Sequence, residues 1–187
     1  TTFSPNLCPI VLTAPTCQQR QDELLGKIAA APRNSIILAG ELCVSGYDTG
    51  EFFSGANGAM PGDSIGSFDA ILFKALQEAL SPDKFLGLTH LTSLNRAKGL
   101  VQISITQTQK NEIYNEFILL NNQNVFYTQN KSKLFSPNLE HEIFVAGDDA
   151  AIRPFDFKGL KIGVLICFEL RFAHLWQQLK GCDVILV

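Results

Sequence analysis

Short apolar runs alternate with helical stripes along this chain. Ser35-Ile36-Ile37-Leu38-Ala39 is apolar at successive positions, as a strand covered on both faces must be. Pro9 to Thr13, Lys84 to Leu91, Lys161 to Ile166 and Asp183 to Val187 have similar character, and Leu100 to Thr106 alternates in strand fashion. Between the first two runs, Gln18 to Ala31 puts Leu24, Leu25 and Ile28 on one helical face, with Asp22 and Glu23 near its start and Pro32 stopping it. A second helix is predicted from about Ile65 to Leu80. Its buried stripe is Ile71, Leu72, Ala75, Leu76 and Leu80, and Asp63 or Ser64 can cap it. Arg171 to Lys180 predicts a third, with Leu175, Trp176 and Leu179 inward and Gly181 at its end. Two hairpins complete the pattern. Glu112 to Leu120 and Asn124 to Gln129 flank Asn121-Asn122-Gln123, and Ala151 to Phe157 and Lys161 to Ile166 flank Lys158-Gly159.

A helix between two buried strands is the mark of parallel neighbours, and helices must cover two sheet faces. The expected architecture is therefore a layered α/β sandwich. No internal repeat, low-complexity segment or linker divides it. The closing run is unusual, because nothing follows it to cover or continue the sheet. The expectation is a single domain over residues 1–187 that lacks a C-terminal portion; the plainer alternative is a buried strand at a true terminus.

Composition narrows the function classes. Hydrophobic residues make up 46% of the 187 positions and charged residues 18%, enough for a core and too little charge for disorder. The net charge of −3, without a basic cluster, argues against nucleic acid or an anionic membrane as partner. No apolar run reaches the roughly 18 residues of a membrane span. No signal peptide is read at the N-terminus. The cysteines are Cys8, Cys17, Cys43, Cys167 and Cys182, an odd number without CxxC spacing, and His90, His141 and His174 are scattered. Reduced thiols in a cytoplasmic protein without a metal centre are expected.

Candidate chemistry concentrates at strand ends. Cys167 follows an apolar strand and precedes a helical segment, where backbone amides favour a thiolate and can hold an oxyanion. The residue can equally be a buried structural cysteine. Glu41 ends the second strand, where a carboxylate is costly unless paired or functional. Lys131 and Lys133 follow the Asn124 to Gln129 strand, and Glu140 and Glu142 lie in the next loop. Each is a site candidate or a solvated surface charge. The Gly-rich loop that follows Tyr47, to about Gly62, is long enough to be a binding loop or lid.

Five stretches resemble, in order, segments of the nitrilase superfamily of carbon–nitrogen hydrolases. Gly40-Glu41-Leu42-Cys43-Val44-Ser45-Gly46-Tyr47 is similar to the segment around the family's catalytic glutamate. Tyr114-Asn115 and the following hairpin resemble its YN segment, and Lys131-Ser132-Lys133-Leu134-Phe135 its lysine segment. Glu140 to Gly147 resembles the loop of the second glutamate, and Gly163 to Phe172 the nucleophile segment. Gly40 stands for the usual proline, Lys133 for a histidine, Glu169 for an aspartate, and Ala173-His174 for Pro-Glu. Phe144 and Gly147 register better with Glu140 than with Glu142 as the second glutamate.

The resemblance implies an α-β-β-α sandwich and a Glu41, Lys131, Cys167 triad supported by Glu140. It implies hydrolysis of a small amide through a Cys thioester, with release of ammonia. No metal or organic cofactor is implied, and association as a homo-oligomer is. The expected partner is a small-molecule amide or carbamoyl compound, not nucleic acid or membrane. N-carbamoyl hydrolysis is the alternative reaction, and a catalytically silent binding or assembly module is the alternative class. A thiol redox sensor on Cys43 or Cys167 is a further rival. Arg171 is expected to hold the nucleophile loop through Glu169.

Overall fold

The computed structural model describes residues 3–45, 72–93 and 113–187. The predicted strand over Leu100–Thr106 and the Gly-rich loop lie outside the described residues, as does the start of the second helix. Among the described residues, eight strands form two sheets. The first sheet has the order β1 (Asn6–Ile10), β2 (Ser35–Ala39), β3 (Lys84–Ser93), β4 (Ile113–Leu120), β5 (Val125–Asn130). Its first three strands are parallel, and β3, β4 and β5 are antiparallel. The second sheet is β6 (Phe155–Phe157), β7 (Leu160–Val164) and β8 (Val184–Leu186), with β7 and β8 parallel.

Alternation along the strands builds the layers. Ile36, Phe85, Phe117 and Leu119 turn toward Phe157, Ile162, Val164 and Leu186 of the second sheet. Their chain neighbours Ile37, Leu86, Ile118 and Leu120 turn the other way, onto Leu24 and Ile28 of α1 (Cys17–Ala30) and Leu72, Leu76 and Leu80 in and just after the helix over 72–79, α2. That period of two is why these strands read as continuous apolar runs. On the outer face of the second sheet, Leu165 and Ile185 pack with Leu175 and Leu179 in and beside α4 (Ala173–Gln178). The result is the α-β-β-α sandwich. A fourth short helix, α3 (Glu140–Ile143), stands beside the site.

The differences from expectation are local. β1 lies three residues earlier than expected and is only partly buried. It stands at the sheet edge among the described residues, where Pro9, lacking an N–H, is tolerated. The N-cap of α1 is Thr16, in a reciprocal box with Gln19, so Asp22 and Glu23 are not first-turn residues. Glu23 instead accepts hydrogen bonds from the Thr13 and Ala14 amides at 2.8 and 3.0 Å. At the predicted tight turn, Lys158 and Gly159 have φ of +52° and +84°, as a two-residue hairpin turn of this hand requires. No described helix is long and apolar enough to cross a membrane.

One end of the space between the sheets is filled by rings. Phe85 meets Phe3, Phe126 and Phe157 edge to face at 5.8, 5.6 and 5.0 Å, with the Lys158 ammonium 4.8 Å above it. Removing so connected a side chain leaves a cavity that its neighbours in two sheets cannot all close. Phe85→Ala is expected to lower unfolding free energy by about 3–5 kcal/mol, measured by urea denaturation.

Candidate active site

Lys131 follows β5 and is locked by its own backbone. Its N–H donates to Asn115 O in β4, and its carbonyl accepts from Gly147 N, each at 2.8 Å. The residue is 1% exposed. Its ammonium donates to Glu41 Oε1 at 2.6 Å and to both oxygens of Glu140, at 3.0 and 2.9 Å. Glu140 is itself 2% exposed and also accepts from Phe135 N at 2.8 Å. Asn115 Nδ2 donates to Glu41 Oε1 at 2.8 Å. One cation thus joins two carboxylates that come from separate stretches of chain.

This grouping sets the lysine's charge. Burial alone would pull the Lys131 pKa down; the hydrogen bonds and charges of Glu41 and Glu140 more than offset that and raise it above 10.5. Lys131 is therefore a fixed cation at neutral pH, suited to stabilising negative charge rather than to accepting a proton. Glu142, two residues along the same short helix, faces solvent, as helical geometry demands when Glu140 faces in. Lys133 likewise turns away, to Asp149 Oδ2 at 2.5 Å.

Cys167 lies beyond the end of β7, in a 3-10 turn spanning Cys167–Arg171 rather than in a regular helix. It is the exposed one of the five reduced cysteines. Its φ of +47° is a left-handed conformation that few side chains adopt, of the kind found where a chain turns sharply out of a strand. Burial pushes the Cys43 thiol up to about 11, which disfavours its thiolate near neutral pH.

The two segments meet through Glu169, which is wholly buried. One oxygen accepts from Ile166 N at 2.7 Å, the residue before Cys167. The other accepts from Ser132 N at 2.6 Å and Ser132 Oγ at 3.1 Å, the residue after Lys131. The turn of Cys167 and the segment of Lys131 therefore share a single carboxylate. Burial raises the Glu169 pKa, partly countered by these amides. The expected contact from Arg171 is not made. Arg171 projects outward over the Phe168 ring at 5.9 Å, while Glu169 points inward at the Ile166 and Ser132 amides. The clamp was missed in the sequence, although an acid in an otherwise apolar stretch, two residues after Cys167, was the available signal.

Residues 19–187 match the carbon–nitrogen hydrolase family. The chain belongs to the carbon–nitrogen hydrolase family. Its fold is that of the nitrilase superfamily. The glutamine-dependent NAD+ synthetase of Acinetobacter baumannii superposes with a TM-score of 0.66 and 19% identity, over 97% of this chain and 31% of that one. A carbon–nitrogen hydrolase from Helicobacter pylori G27 gives 0.66 and 14%, over 97% and 58%. Nit3 of Saccharomyces cerevisiae, a member of branch 10 of the nitrilase superfamily, gives 0.52 and 17%, over 88% and 55%. At these identities the likeness is one of fold, and the chain spans less than two thirds of each. No curated protein matches it.

Gly147 has a steric reason. A Cβ there would lie 2.5 Å from Asn130 O and 2.8 Å from Asn130 Cβ, next to Lys131. Gly147→Ala must push the lysine segment aside, and is expected to cost about 1–3 kcal/mol in a denaturant titration. The raised Lys131 pKa sets a second expectation. A cation bound more tightly when folded contributes its full stability below pH 10.5 and loses it as pH climbs through the higher folded value. The parent is expected to lose more stability above pH 10.5 than Lys131→Met, measured by denaturation across pH 8–12 (an order-of-magnitude window around about 10.4). Equal alkaline losses would place the lysine's ion pairing elsewhere.

Proposed function

We propose that this carbon–nitrogen hydrolase domain cleaves the non-peptide C–N bond of a small amide through a Cys167 thioester. The carrying observation is the buried Lys131 held between Glu41 and Glu140, with its segment clamped by Glu169 to the turn of Cys167. Glu41 takes the Cys167 proton, and the thiolate adds to the carbonyl carbon. Lys131 and the Phe168 amide stabilise the oxyanion. The C–N bond then breaks, and the leaving nitrogen takes the proton from Glu41 as ammonia. Glu41 next activates water, which hydrolyses the thioester to the acid and restores the thiol. Glu140 holds Lys131 in place. The two carboxylates that fix the lysine's proton support this division of labour, because a cation so held cannot also be the base.

The test is ammonia release across primary carboxamides, ureides and nitriles, with intact-mass detection of an acyl adduct. Ammonia from carboxamides and an adduct on the Cys167 peptide are expected, both abolished in Cys167→Ala. Turnover preserved in Cys167→Ala removes the thiol mechanism. Release from ureides alone moves the assignment to N-carbamoyl hydrolysis, and no release from any class leaves a binding module.

A further inference from the structure

Glu41 opens a turn over residues 41–45 that belongs to neither sheet nor helix. Leu42, the next residue, has φ +45°, a conformation that needs outside support. Part of that support is Thr89 in β3, whose Oγ1 accepts from Leu42 N at 2.6 Å. The far end of the turn, Val44 and Ser45, is also buried, so its carbonyls need donors. Arg20 of α1 supplies them. Its Nε donates to Val44 O at 2.8 Å and its Nη2 to Ser45 O at 3.2 Å. Its Nη1 donates to Pro15 O at 2.8 Å and Ala14 O at 3.3 Å. One planar group thus ties the turn of Glu41 to the loop between β1 and α1. That loop is held a second time by Glu23, through the Thr13 and Ala14 amides.

We infer that Arg20 is a positioning residue for Glu41, an inference that rests on Glu41 serving as the base. Lys131 and Asn115 orient the carboxylate at its tip, but the path of the backbone sets where the carboxylate begins. A misplacement of about 1 Å can cost on the order of a hundredfold in rate. The role calls for arginine specifically. A lysine keeps the charge but has no rigid fork with which to span four carbonyls in two loops.

The test is a double-mutant cycle read by the rate at which iodoacetamide alkylates Cys167, followed by intact mass, which requires no knowledge of the substrate. Four chains are compared: the parent, Glu41→Gln, Arg20→Lys and the double variant. Glu41→Gln is expected to slow alkylation, and Arg20→Lys to slow it about tenfold, inside the misplacement range above. The double variant is expected to be no slower than Glu41→Gln alone, because a residue that acts through Glu41 has nothing left to act on. A further slowing by the full Arg20→Lys factor, or a parental rate in Arg20→Lys, overturns the inference while leaving the functional reading intact. A parental rate in Glu41→Gln overturns the functional reading, and the inference falls with it. Should Arg20→Lys fail to fold, Arg20→Gln, which cannot bridge the two loops, takes its place with the same outcomes.

Discussion

A single buried carboxylate ties the turn of Cys167 to the segment of Lys131. Glu169 accepts the amide hydrogens of Ile166 and Ser132, residues far apart in the chain that flank Cys167 and Lys131. Charge-assisted bonds of this kind contribute about 1.5–3 kcal/mol each, and they must offset the several kcal/mol that burying a carboxylate costs. The raised pKa of Glu169 shows that burial is the larger influence on its charge. The carboxylate is therefore an expensive device, and what it secures is geometry. It keeps the left-handed Cys167 turn against the segment that carries the lysine.

The rest of the sandwich serves that junction. Alternation in β2, β3 and β4 packs one sheet against the other on one face and against helices on the opposite face. β2 ends near Glu41, β4 carries Asn115, and β5 runs into Lys131. Their common sheet brings the three together without any direct chain connection. Gly147 closes against Asn130 from the other side, where a methyl group has no room. Backbone amides hold Glu169 and one oxygen of Glu140, while the Lys131 ammonium and the Glu41 carboxylate meet each other.

The sandwich could be read in the sequence because its strands are covered on both faces and its helices on one. Those patterns survive in single residues such as Ile36 and Ile37. β1 was misplaced because an edge strand carries a weaker pattern and a proline displaced the apparent start. The choice of Glu140 over Glu142 needed the resemblance, since both are acids in one polar loop. Structure separates them by the turn of a four-residue helix. Lys131 and Lys133 are ambiguous in sequence for the same reason. Asn115, Glu169 and Arg20 had no assigned or correct contacts beforehand, because their partners are backbone groups or residues distant in the chain. Periodicity carries no information about such bonds.

Amide hydrogen exchange at Ile166 and Ser132, in the parent chain and in Glu169→Gln, tests the junction most directly. Both amides are expected to be strongly protected in the parent and to lose protection together in the variant, while amides within β2 and β3 keep theirs. Loss at one amide without the other, or protection unchanged at both, would contradict a shared carboxylate joining the Cys167 turn to the Lys131 segment.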